Sequence, residues 1–258
     1  MHLLTPKAFC VGESRLDMAE LNKYFGHIGT NWEIESGATS DCEALSEIMG
    51  RLCYRSWEPG MNPNVKKIRQ GNDKYLEHII GVGHGSVLEH PMTHWILADV
   101  SRIFTHEFVR HRVGMAFSQE SLRFVRLKDL GFWLPPDIEE EDPYMAQLFK
   151  EKWASDEEFQ LKAAKHLDLD NKPFSEKKKW TGRMRRGAPQ GIATTIGVSM
   201  NIRALRHIAF MRTHESAEEE LRLVVDQIMG IAVQRWPNFF ADFERLEDGT
   251  WTTEHPKV

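Results

Sequence analysis

The chain has 258 residues, 41% hydrophobic and 28% charged, an ordinary balance for a globular protein able to bury a substantial core. Its formal net charge of -5 argues against broad, charge-driven binding to nucleic acid. No apolar run approaches the roughly eighteen residues of a membrane span, and the start, Met-His-Leu-Leu-Thr-Pro-Lys, lacks the apolar core of a signal peptide.

Residues 1–40 are polar and weakly patterned and read as an N-terminal extension wrapped on one catalytic domain spanning 41–250. Leu45, Ile48, Met49 and Leu52 recur at helical spacing and predict a helix over Asp41–Tyr54, with Ser40 or Asp41 as its cap. Cys53 falls in that pattern and reads as core. Cys10, Cys42 and Cys53 form neither a disulfide framework nor a close metal pair, which points to a reducing cytoplasm. Trp57 to Pro63 ends the helix as a turn, and Gly81 to Ser86 interrupts the chain again. The alternation over His94–Val100 predicts a strand.

Residues 103–112 return to a helical rhythm through Ile103, Phe104, Phe108 and Val109, placing Arg110 and His111 near the helix end. Pro135-Pro136 and the acidic run 137–142 open an excursion over about 134–178, with a helix from Tyr144 to Leu167 carrying apolar Leu148, Phe149, Phe159 and Leu161. Lys177 to Gly182 reads as a connector. Met200–Met211 and Ser216–Arg235 read as helices. The second buries Leu221, Val224, Val225, Ile228 and Ala232, begins with Glu218, Glu219 and Glu220, and is broken at Pro237. The whole is α+β and helix-rich.

Three clusters carry the chemistry. In His84-Gly-Ser-Val-Leu-Glu-His90 the ligand types of a metal site are present, but the spacing is not that of a zinc helix. Local capping beside a Gly-rich turn and a ligand-lining role for Ser86 and Glu89 are the other readings. The stretch Arg110 to Phe124 gathers three arginines, a histidine and two serines, with Glu120 as its lone acid. Arginine forks and hydroxyl donors suit an anionic ligand such as a nucleotide; a helix end favouring positive charge is the plainer explanation. With no Gly-rich dinucleotide fingerprint and no P-loop, any nucleotide must be held mainly by side chains. The third cluster runs from Arg183 to Pro189 and from Asn201 to Arg212. Arg203 and His207, four residues apart on a helix, can address one ligand.

At these clusters the chain resembles the flavin-dependent thymidylate synthases. Arg110-His111-Arg112 followed by Ser118-Gln119-Glu120-Ser121-Leu122-Arg123-Phe124 is similar to that family's Arg-His-Arg element and its Ser-x-Arg-Tyr tail. Gly83-His84 through Glu89-His90, Arg51-Leu-Cys53-Tyr54-Arg-Ser56, Arg185 to Pro189 and Asn201-Ile-Arg203-Ala-Leu205 match further elements in order. Four departures stand out. Five residues rather than four separate Arg112 from Ser118, Phe124 replaces Tyr, Glu107 replaces Gln, and His207 stands where Asn is common.

The resemblance implies a thymidylate synthase-like fold around a central mixed or antiparallel sheet, assembled as a homotetramer with active sites shared between subunits. It implies FAD held by Ser86, Glu89, Arg110, His111, Arg112, Asn201, Arg203 and His207, and no metal. The pyrimidine nucleotide would meet Glu107, Glu120, Ser121, Arg123, Arg185 and Arg212, with Arg212, Ser121 and Arg185 catalytic. The implied reaction is C5 methylation of dUMP to dTMP, with methylenetetrahydrofolate as one-carbon donor, NADPH as reductant and no enzyme nucleophile. Two alternatives stay open: C5 modification of UMP or a cytidylate, and a non-enzymatic nucleotide or nucleic-acid-binding protein.

Overall fold

A computed structural model describes residues 2–34, 37–123 and 131–258, so Phe124 of the Arg-rich stretch lies outside the described residues. Two short strands, β1 (His2–Leu3) and β2 (Lys7–Glu13), open the chain, followed by helix α1 (Met18–Ile28). Helix α2 (Asp41–Tyr54) has the expected bounds, and Ser40 caps it by accepting from the Glu43 amide. Helix α3 (Asn72–Gly81) leads into a 3-10 turn over Gly85–Glu89 and then strand β3 (Met92–Ser101). Next come α4 (Arg102–Phe108), β4 (Met115–Gln119) and β5 (Gly131–Phe132). The excursion is helical: α5 (Ile138–Glu141), α6 (Pro143–His166) and α7 (Phe174–Met184). Strand β6 (Ala193–Asn201), α8 (Ile202–Arg212), α9 (Glu219–Arg235) and the pair β7 (Phe243–Arg245) and β8 (Trp251–Thr253) complete the chain.

The central sheet has the order β2-β3-β6-β4, and every neighbouring pair is antiparallel. Alternation gives it one apolar face. Thr194, Ile196, Val198 and Met200 of β6 point into the core, with Trp95 and Leu97 of β3 opposite Val198 and Ile196. Phe104 and Phe108 of α4, Leu205 and Ile208 of α8, and Leu221, Val224, Val225 and Ile228 of α9 cover that face. Burying each such side chain contributes about 1.5–3 kcal/mol, so this contact dominates the fold. The other face keeps Phe9, Val11 and Ile96 exposed.

Several expectations are corrected. The N-terminal residues are part of the sheet rather than a wrapping: β2 is its edge strand, pairing with β3 from Lys7↔Ala98 to Glu13↔Thr93. Helix α4 stops at Phe108, so Arg110 and His111 lie beyond it. Lys177 to Gly182 is helix interior, a stretch whose lysines give no apolar period because α7 buries no residue. Met200 belongs to β6, and the helix starts at Ile202. In α6, Leu148, Phe149, Phe159 and Leu161 are exposed. The side it buries is Ala146, Trp153 and Gln160, with Trp153 stacked on Phe132 at 4.3 Å in a small second core. Cys53 is exposed, whereas Cys42 is fully buried.

Candidate active site

Helix α4, strand β4 and helix α8 meet at one end of the sheet, and their termini build the site. After Phe108 a further turn is held by His111 N–H donating to the Phe108 carbonyl at 3.2 Å. Gly114, at φ +70°, then reverses the chain into β4; a Cβ there would sit 2.4 Å from Asn201 Nδ2. Asn201 ends β6 and caps α8, its Oδ1 accepting from the Ala204 amide at 2.8 Å. Its oxygen is thereby committed to the helix, and its amide nitrogen is the group left for a ligand.

Between these elements lies a cavity of about 400 Å³ lined by Glu89, Arg110, His111, Arg112, Asn201, Arg203 and His207, together with Pro256, Lys257 and Val258. Arg203 donates from Nη1 to Glu89 Oε1 at 2.5 Å. Gly85 leaves room for this arginine, since a Cβ there would stand 2.8 Å from its Nε. Arg203 also borders a second cavity lined by Cys53, Tyr54, His84, Ser86 and His90. The Tyr54 and His84 rings stack there at 6.2 Å. Thus Arg203 and His207 of α8 line the same cavity, and Ser86 lies in the adjoining one.

Among the cavity's residues His111 has a strongly perturbed environment. Burial, then the charges of Arg212, His207 and Arg110, push its imidazole down to about 4, so it is neutral at physiological pH. Arg212 donates from Nε to His111 Nε2 at 2.8 Å. An accepting Nε2 in a neutral ring puts the proton on Nδ1. Glu107 lies 3.6 Å from Arg212 Nη1, so both the imidazole and this carboxylate orient the same guanidinium.

A second basic group forms at the other end of β4. Glu120 accepts from the Thr195 amide at 3.1 Å, Ser121 Oγ accepts from the Arg123 amide at 3.3 Å, and Arg123 Nε lies against Gly182 of α7. Arg102 donates to the Glu120 carbonyl at 3.0 Å and feels the charge of Arg185. Burial first, then Arg185, lowers the Arg102 pKa, and its Nε is buried without a hydrogen-bond partner. The structure therefore divides the expected nucleotide residues. Arg212 and Glu107 stand behind the main cavity, joined to it through His111 rather than lining it, whereas Glu120, Ser121, Arg123 and Arg185 gather across β4, whose five residues span roughly 14 Å.

The family described as thymidylate synthase complementing protein matches residues 37–238. The flavin-dependent thymidylate synthase of Corynebacterium diphtheriae is 36% identical over 239 residues, covering 89% of this chain and 90% of that protein. That of Mycobacterium leprae is 32% identical over 251 residues, covering 94% and 95%. The chain belongs to the flavin-dependent thymidylate synthase family.

Solved structures show the same fold at low identity. A UMP/dUMP methylase from Streptomyces cacaoi bound with 5-Br dUMP superposes with a TM-score of 0.66 at 15% identity, covering 93% of this chain and 96% of that one. Thymidylate synthase X from Helicobacter pylori with FAD and dUMP gives 0.57 at 16% identity, covering 91% and 99%. This synthase-family member is therefore an enzyme. Two of its residues escaped the sequence reading. Arg102 carried a usable signal, because a cation in the first turn of α4 opposes the helix dipole and needs another reason to be there. Lys257 carried none, since only tertiary folding brings the C-terminal segment to the cavity.

Proposed function

We propose that the enzyme methylates C5 of deoxyuridylate, dUMP to dTMP, with methylenetetrahydrofolate as one-carbon donor and NADPH as reductant. The observation that carries this reading is the main cavity. Arg110, Arg112 and Arg203 line it with one carboxylate, Glu89, beside a neutral His111 tied to Arg212. Such an excess of fixed donors suits FAD, a dianionic dinucleotide, and the cavity is in the size range of ligand sites.

Ser86, Glu89, Arg110, His111, Arg112, Asn201, Arg203 and His207 would hold FAD. When bound, FAD supplies a two-electron carrier between NADPH and the one-carbon unit. In the overall balance, uracil C5 loses a proton and gains the methylene carbon, NADPH provides two electrons, and the donor leaves as tetrahydrofolate. Arg212, aimed by His111 and Glu107, stabilises charge developing on the pyrimidine carbonyls. Ser121, Arg123 and Arg185 bind the phosphate, and Glu120 fixes their loop against β6. No protein nucleophile is required.

The family resemblance implies a homotetramer, and the separation of the two basic groups across β4 fits a site in which one copy's Ser121–Arg123 loop meets another copy's cavity. Free cysteines at positions 10, 42 and 53 fit work in a reducing cytoplasm. Among the described residues no helix is long and apolar enough to cross a membrane.

The test begins with the visible spectrum of freshly purified protein before and after dUMP, followed by turnover with dUMP, UMP and CMP. A yellow protein whose flavin bands shift with dUMP, and which forms dTMP, is expected. Product from UMP or CMP alone would overturn the choice of nucleotide. A colourless protein that binds oligonucleotides with steep salt dependence would overturn the enzyme reading.

A further inference from the structure

The main cavity has a wall that no motif of the Arg-rich stretches supplies: Pro256, Lys257 and Val258. This segment is fastened rather than draped. The Val258 side chain is buried in the principal core, and its main-chain oxygen accepts from Arg206 Nε at 3.0 Å. Arg206 is itself buried and makes a two-pronged pair with Asp242, at 2.7 and 2.8 Å. Asp242 in turn accepts from Thr253 at the end of β8. One buried guanidinium thus ties the chain just before β7, the end of β8 and the last residue to α8.

Lys257 sits between that anchor and the ligand space. Its carbonyl accepts from Arg203 Nη2 at 3.4 Å, so its backbone touches the arginine that also holds Glu89. Among the described residues Lys257 is the one lysine of the lining, and Glu89, the one acidic side chain there, is already paired with Arg203. Among the described residues no acid forms an ion pair with the Lys257 ammonium. Lys257 is an exposed cation at the cavity on an anchored backbone, and with no acidic side chain paired to it among the described residues it is placed for an anion from outside.

We propose that Pro256–Val258 is a fixed wall of the cofactor cavity and that Lys257 is a binding residue for the anionic part of the ligand. The proposal rests on the reading that FAD occupies this cavity. Lysine acts there as a point charge, so its contribution falls with ionic strength and needs charge rather than shape.

The test is fluorescence titration of flavin-depleted protein with FAD and with uncharged riboflavin, at low and high salt, for wild type, Lys257→Gln and Lys257→Arg. Lys257→Gln should weaken FAD about tenfold at low salt, with the difference shrinking at high salt, whereas Lys257→Arg stays within about twofold. Riboflavin affinity should not change, and all three proteins should melt together. Equal FAD affinity for wild type and Lys257→Gln overturns the role of Lys257. An equal loss for riboflavin overturns it too, because the residue would then be shaping the wall rather than meeting charge. Failure of the wild type to bind FAD at all refutes the assignment of the cavity itself.

Discussion

Glu220 offers a sharp test of how the site's scaffold is held. Its side chain is fully buried in α9 and accepts hydrogen bonds from the Ser101 amide at 2.6 Å and from the Ser101 hydroxyl. Ser101 Oγ in turn accepts from the Phe104 amide at 3.0 Å and so caps α4, the helix that carries Glu107 and leads to Arg110 and His111. Burial pushes the Glu220 carboxyl up from 4.5 to about 7, against the downward pull of its Ser101 bonds. Below 4.5 both folded and unfolded chains hold the proton. Between 4.5 and about 7 only the folded chain holds it, so stability falls as pH rises through this window and levels off above it. At 1.36 kcal/mol per tenfold change in proton affinity, the loss between pH 5 and pH 8 is about 2.5 kcal/mol.

Glu220→Gln keeps an acceptor for the Ser101 amide and removes the titration. Urea unfolding of both proteins at pH 5 and pH 8 isolates the effect, because every other group cancels in the difference. The variant should gain about 2.5 kcal/mol on wild type between the two pH values. A difference that stays flat with pH would show that the carboxyl ionises normally, and that the proposed burial cost is wrong.

Three further outcomes follow from the geometry. Arg212→Ala should leave the melting temperature within a few degrees and lower kcat/KM by at least about a hundredfold; wild-type turnover would remove Arg212 from the mechanism. Gly85→Ala drives a methyl to 2.8 Å from Arg203 Nε and should weaken FAD binding about tenfold, about 1.4 kcal/mol, in a fluorescence titration. Unchanged affinity would show that Arg203 need not hold its position. Arg206→Met strands the Asp242 carboxylate and should cost about 3–5 kcal/mol in urea unfolding; a loss below about 1 kcal/mol would show that the clamp is not structural.

The sequence by itself determined the family and named the candidate residues of the site, apart from Arg102 and Lys257. The order of the Arg-His-Arg, Gly-His and Asn-x-Arg elements is local, and local order survives folding as written. It also gave α2 and the body of α9, where a buried stripe at helical spacing meets recognisable ends. It missed β2 because an edge strand with one exposed face carries little apolar signal, and it ran β6 into α8 because Met200 suits either element.

Only the tertiary structure decided which charges meet. Glu107 and His111 are assigned by motif to a nucleotide and a flavin, yet both turn to Arg212, 101 residues after His111. Glu120, Ser121 and Arg123 follow Arg112 closely in sequence, but an extended strand carries them to the opposite end of the sheet edge. Lys257 reaches the cavity through the buried Arg206. Spacing along a chain fixes neighbours within a helix or strand; packing of the core fixes which ends of those elements face one another.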